Sequence, residues 1–228
     1  MKASMLYPLT AAAITVFGLA LLQVEAQQPR PGSRQPAVAP PAAIDAAYEG
    51  SIKEMVKIRR LDGVGRTGLV KTPEFRTSMP GGTKPPQEWV EIKTTFDTEP
   101  EWIEDLVFQY YVLVYNRKEA KTPYSFIQAT VRYGDVEQGR GHYSTMYIPP
   151  NAVKRYGYPV ALGVEISING KLVDSKYERD SSIRVAEGWW KKDAIVGRKD
   201  VVTRQGCLLN RKESPFSLVN IDDHEVAR

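Results

Sequence analysis

Val160-Ala161-Leu162-Gly163-Val164-Glu165-Ile166-Ser167-Ile168-Asn169-Gly170-Lys171-Leu172-Val173-Asp174-Ser175 carries the clearest structural signal in the chain. Val160, Leu162, Val164, Ile166 and Ile168 alternate with small or polar neighbours. Successive side chains of a strand point to opposite faces, so this period of two sets an apolar face against a polar one. Asn169-Gly170 then supplies the dipeptide best suited to a type I′ turn, in which both central residues need positive φ. The stretch predicts a β-hairpin whose first strand buries Leu162, Val164 and Ile166.

Working outward, other segments repeat the pattern. Trp89 to Phe96 sets Val90, Ile92 and Phe96 on one side. Ser125 to Tyr133 groups Ile127, Ala129, Val131 and Tyr133. His142 to Ile148 and Phe216 to Ile221 are shorter strand candidates, and Ile52 to Leu61 fits strand or helix. Asp105 to Tyr115 is apolar or aromatic on both faces, as expected of a strand covered on both sides at the centre of the molecule. Its aromatic and β-branched content disfavours a helix. Helical signals are confined to one or two short turns. Pro149 to Gly157 has proline at the start and glycine at the end, and Glu187 to Ala194 is the other candidate. Many short strands separated by turns predict an all-β protein built as a β-sandwich.

The ends of the chain have a different character. An apolar run from Leu9 to Leu22 follows Lys2 and is followed by Val24-Glu25-Ala26, the pattern of a secretory signal cleaved after Ala26. The run is short for a membrane span, which needs about 20 residues. An uncleaved anchor and a pilin-type leader cut near Gly18 are the rivals, and Glu25 lies too far along for the usual pilin glutamate. Residues 27–47 are rich in Pro, Ala and Gln, which favours a disordered, extended tether. The expected organisation is thus a signal peptide over 1–26, a linker over 27–47 and a sandwich domain over 48–228. Export puts the protein in the periplasm, on the outer membrane surface or outside the cell, with no stable membrane span after cleavage.

Composition narrows the partners. The chain has 228 residues and a net charge of +4, with acidic residues interleaved among the basic ones. A nucleic-acid groove needs a denser basic stripe, and export removes that partner in any case. Cys207 is the sole cysteine, so no internal disulfide can form. Its apolar setting fits a buried thiol acting as a small hydrophobe.

Motifs that carry chemistry are weak. Gly63-Val64-Gly65-Arg66-Thr67-Gly68 matches G-x-G-x-x-G, but Leu69-Val70-Lys71-Thr72-Pro73 follows where a dinucleotide site needs a helix. A glycine-rich hairpin turn is the expectation. Asp222-Asp223-His224-Glu225 reads as a frayed tail rather than a metal site. Glu99, Glu101, Glu104 and Asp105 crowd one segment without an EF-hand spacing and read as a solvated turn, with a calcium-stapled loop as the rival. No nucleophile elbow, zincin motif or S-x-x-K is present. The sequence therefore predicts a non-enzymatic protein with no catalytic residues, no metal and no cofactor. Aromatics are the remaining informative class: Trp89, Trp102, Trp189 and Trp190 accompany 12 tyrosines. Most should build the core. Trp189 and Trp190 are the binding candidates, because neighbours on a strand face opposite ways and only one could be buried. On a helix both could be core.

The run Trp89-Val90-Glu91-Ile92 through Phe96-Asp97-Thr98-Glu99-Pro100-Glu101-Trp102 and Phe108-Gln109-Tyr110-Tyr111-Val112-Leu113 resembles the pilus-associated proteins of mucin-degrading Verrucomicrobia. Gly188-Trp189-Trp190, Leu208-Leu209-Asn210-Arg211, Ser214-Pro215-Phe216 and Val219-Asn220 are similar too, so the likeness runs from about Ile52 to Asp223. It implies an immunoglobulin-like sandwich at the cell envelope or surface, structural or adhesive in role, with an envelope or pilus protein assembly as partner. Its likeness in shape to carbohydrate-binding modules implies, as the alternative, a module that reads host or cell-wall glycans. No catalytic or verified binding residue comes with the resemblance.

Overall fold

The computed structural model describes residues 53–73, 85–191, 193–219 and 225–226. The expected signal peptide (1–26) and linker (27–47), and Asp222 to His224, lie outside these residues. In chain order the strands are β1 (Val56–Asp62), β2 (Leu69–Lys71), β3 (Glu88–Ile103), β4 (Leu106–Tyr115), β5 (Tyr124–Gly134) and β6 (Val136–Ile148), followed after a helix by β7 (Tyr158–Ile168), β8 (Lys171–Arg179), β9 (Val201–Arg204), β10 (Leu209–Asn210) and β11 (Glu225–Val226). The helices are α1 (Pro150–Tyr156) and α2 (Asp193–Val196), with 3₁₀ turns at Trp189–Lys191 and Arg211–Glu213.

Two sheets face each other. In one, β1 and β2 both pair with β3, which pairs with β6, and β6 with β10. The other runs β11-β5-β4-β7-β8, with β9 parallel beside β5. The all-β sandwich is the architecture the alternation predicts. β4 holds the centre of its sheet, paired to β5 on one side and β7 on the other along its whole length. That position explains why it is apolar on both faces.

The inner faces make the main core: Val90, Ile92 and Phe96 from β3, Phe108, Tyr110 and Val112 from β4, Ile127 and Val131 from β5, and Leu162, Val164 and Ile166 from β7. Each large aliphatic or aromatic side chain buried here contributes roughly 1.5–3 kcal/mol. A buried polar network spans the same layer. The Tyr110 hydroxyl donates to Thr94 Oγ1 at 2.9 Å, and that of Tyr133 to Ser144 Oγ at 2.7 Å. Burial pushes the Tyr110 phenol well above its ordinary pKa, so it stays a donor. The sheets also meet at one corner, where the Ile58 N–H donates to Asp174 Oδ2 at 2.7 Å and Lys176 Nζ to the Arg59 carbonyl at 2.8 Å.

Several local expectations are confirmed and others corrected. Asn169 and Gly170 sit at φ 50° and 76°, closing the β7–β8 hairpin as a primed turn requires. α1 begins at proline and ends against Gly157, and the ambiguous segment 52–61 resolves, from residue 53 on, into a short helical turn over 53–55 and strand β1 from Val56. Val160 does not share the face of Leu162. A register shift opposite Leu113 and Val114 turns it, with Ala161, toward the outer side. Gly63 to Gly68 is not a hairpin turn. β1 and β2 run along the same edge of β3, and the glycine loop interrupts that edge strand. No helix follows it. Asp97 to Trp102 is not a turn but part of β3. Phe216 stands in a turn rather than a strand, its ring stacked on Tyr147.

Candidate functional site

Three of the four tryptophans are consumed by packing on the outer faces of the sheets. Trp89 sits under Phe216 with Tyr147 beside it, and its indole N–H donates to Thr72 Oγ1 at 3.0 Å. Trp189 and Trp190 lie against the outer face of the other sheet with Tyr111, Leu113, Phe126 and Ala161. Trp190 stacks on Tyr111 at 5.2 Å, while Trp189 meets Phe126 edge-on at 6.0 Å. Their exposures are 1% and 6%.

The strand reading of this pair is thereby corrected. The two residues open a 3₁₀ turn, where neighbours are separated by about a third of a revolution rather than half. Both indoles therefore reach the same apolar surface, and neither offers an exposed binding face. Glu187 to Ala194 likewise does not form a single helix. Its described residues divide among a turn at Glu187 and Gly188, the 3₁₀ turn and the start of α2. Lys191 pairs with Glu165 at 2.5 Å and Tyr111 donates to the same carboxylate at 3.1 Å, which clamps the turn onto β4 and β7.

Trp102 is the exception, at 56% exposure. Its position follows from an irregularity in β3. Between Thr98 and Trp102 that strand advances four residues while its partner β6 moves only from Gly139 to Glu137. Such bulges bend a strand and redirect its side chains. Thr98 fixes the irregular segment. Its hydroxyl donates to the Glu137 carbonyl at 2.7 Å and accepts from the Gly139 N–H at 2.8 Å. Asp97, just before it, takes Arg59 at 2.6 Å and the Gly141 N–H at 2.9 Å. Burial pushes the Asp97 carboxyl upward, but the Gly141 N–H and the Arg59 guanidinium outweigh it and hold the pKa below its ordinary value.

The indole borders a cleft of about 420 Å³ at one end of the sandwich. Met55, Pro100, Ile103 and Ile168 line it with apolar surface, and Glu104, Asp105, Asn169 and Lys171 add polar groups. Three features converge there: the start of β1, the β3–β4 turn and the β7–β8 hairpin. Leu172, next along the hairpin, is itself 46% exposed. Glu137 faces Trp102 across the β3–β6 pair. Asp105 is paired with Arg132 at 3.0 Å. An apolar wall, a projecting indole, acceptors on Glu104, Asp105 and Asn169 and the Lys171 ammonium can together hold a ligand. Among the described residues no three His, Cys, Asp or Glu side chains come together as a metal site.

Cys207 is half-buried against the main core, and burial pushes its thiol pKa up, away from nucleophilic character. The sequence reading included Trp102 among the aromatics but favoured the Trp189-Trp190 pair. The available signal was local: Trp102 sits in Glu-Pro-Glu-Trp-Ile-Glu-Asp, polar on both sides, whereas Trp189 and Trp190 precede the apolar residues Ile195, Val196 and Val201 that pack with them.

A protein-family model matches residues 65–228 of this chain. A crystal structure of a protein from Akkermansia muciniphila, a mucin-degrading Verrucomicrobium, is similar in fold. Its TM-score is 0.63 at 24% identity, covering 76% of this chain and 93% of that one. No curated protein sequence matches. Among the described residues no helix is long and apolar enough to cross a membrane.

Proposed function

The chain belongs to the family whose model spans residues 65–228, and from that premise we propose that it is a non-catalytic, exported module of the cell envelope that docks a partner protein. The single observation that supports this most is the exposure of Trp102 on an apolar-walled cleft, when the other tryptophans are buried. Exposed aromatics that cover a pocket wall are the usual anchors of protein interfaces. The two-sheet all-β sandwich supports the immunoglobulin-like reading, and the apolar run ahead of Val24-Glu25-Ala26 supports export. Association with a pilus or a similar envelope assembly is part of the same proposal.

The test pairs the wild type with one variant. Tagged wild-type protein and Trp102→Ala are used to capture partners from envelope extract, with folding checked by thermal unfolding. The expected result is a specific envelope protein retained by the wild type and lost from a folded Trp102→Ala. Equal capture by both overturns the cleft as the docking surface. Glycan binding is the second reading, since an indole beside Asn169 and carboxylates also suits a sugar ring. Retention of the same pair on mucin-derived oligosaccharides decides between the two.

A further inference from the structure

We propose that the Trp102 cleft recognises a basic segment of its partner, with an arginine or lysine side chain laid on the indole and its charge held between Glu104 and Glu137. This rests on the docking reading above and specifies the partner's chemistry. Ionised carboxylates only accept hydrogen bonds, so they call for a donor, and a cation is the strongest one. Asp105 is already matched by Arg132. Glu104 and Glu137 are exposed and make no salt bridge among the described residues. They flank Trp102 from two directions, Glu104 from the β3–β4 turn and Glu137 from the register position opposite. Tryptophan is the best aromatic platform for a cation, and guanidinium the cation that stacks most often. The apolar lining by Met55, Pro100 and Ile168 suits the methylene stem of such a side chain. Lys171 and the Asp105–Arg132 pair also stand at this rim, so Glu104 and Glu137 are its uncompensated charges and give it an acidic balance.

The experiment uses the exported chain with fluorescein-labelled Gly-Arg-Gly-Arg-Gly-Arg and Gly-Glu-Gly-Glu-Gly-Glu peptides, followed by anisotropy at low and high salt. The arginine peptide should bind, weaken as salt rises, and lose tenfold or more in affinity with Trp102→Ala and with the Glu104→Gln, Glu137→Gln double variant. Both variants should melt as the wild type does. Absence of binding, equal binding of the two peptides, or arginine binding untouched by the double variant overturns the proposal. Displacement by a neutral mucin oligosaccharide overturns it in favour of a sugar. The envelope capture separates the two levels of the argument. If Trp102→Ala loses the partner and the double variant keeps it, the charge inference fails and docking stands. If both variants keep it, docking at this cleft fails as well.

Discussion

The Trp190 ring fills the space that a Cβ on Gly163 would need. Gly163 is the register partner of Tyr111, on which Trp190 also stacks. The third layer over the outer face of the β4–β7 sheet is therefore seated in a notch where β7 has no side chain.

Gly163→Ala should unseat that layer. A methyl group placed against a rigid, buried indole forces a shift typical of overpacking, about 1–3 kcal/mol of lost stability. The urea midpoint should fall with little change in slope.

Trp189→Ala and Trp190→Ala should both act on stability, each by about 3–5 kcal/mol, as expected for a buried tryptophan. Neither indole N–H has an acceptor among the described residues, so packing carries the pair. A variant of either residue that melts normally but loses partner capture would restore the pair as a binding surface.

The inner core was legible because it obeys period two. Leu162, Val164 and Ile166 point inward as the alternation predicts, and Val164 is fully buried. Val164→Asp should accordingly cost ~3 kcal/mol or more, since an unpaired charge would sit in the core, and the variant should fail to give a cooperative melt. The outer layers were not legible. Alternation identifies which residues leave a sheet face, but not whether a distant segment returns to cover that face, as Trp189, Trp190, Ile195, Val196 and Val201 pack with Tyr111 and Phe126. The bulge that exposes Trp102 was also hidden, because its cause is the mismatch between two strands far apart in sequence. Without it, Asp97 to Trp102 looked like a turn.

Asp97 makes stability pH-dependent in a definite direction. Its folded-state pKa lies below its ordinary value near 4. The stability it supplies is full above about pH 4 and is lost as pH falls through the lower folded-state value. Arg59→Ala should raise the pKa and shrink this acid-sensitive component, as measured by thermal unfolding between roughly pH 2 and pH 5.

Quenching of tryptophan fluorescence reads the cleft without a partner. Trp102 is the exposed indole, so acrylamide should quench a distinct component that disappears in Trp102→Ala. Relative to the efficiency each ion shows with free N-acetyltryptophanamide, caesium should quench that component more strongly than iodide if the carboxylates set the local field. Equal relative efficiency would remove the electrostatic basis for a cationic partner.

The central claim is that the Trp102 end of the sandwich meets the partner in the envelope. A photo-crosslinking residue, p-benzoylphenylalanine, placed at position 172 beside the cleft tests it directly in the producing cells. A matched control carries the same residue at position 199, exposed near the other end of β5. The account predicts a light-dependent adduct with an envelope protein at 172, absent at 199 and abolished when Trp102→Ala is added. Adducts at 199 but not at 172, or adducts at 172 that persist without Trp102, would contradict it.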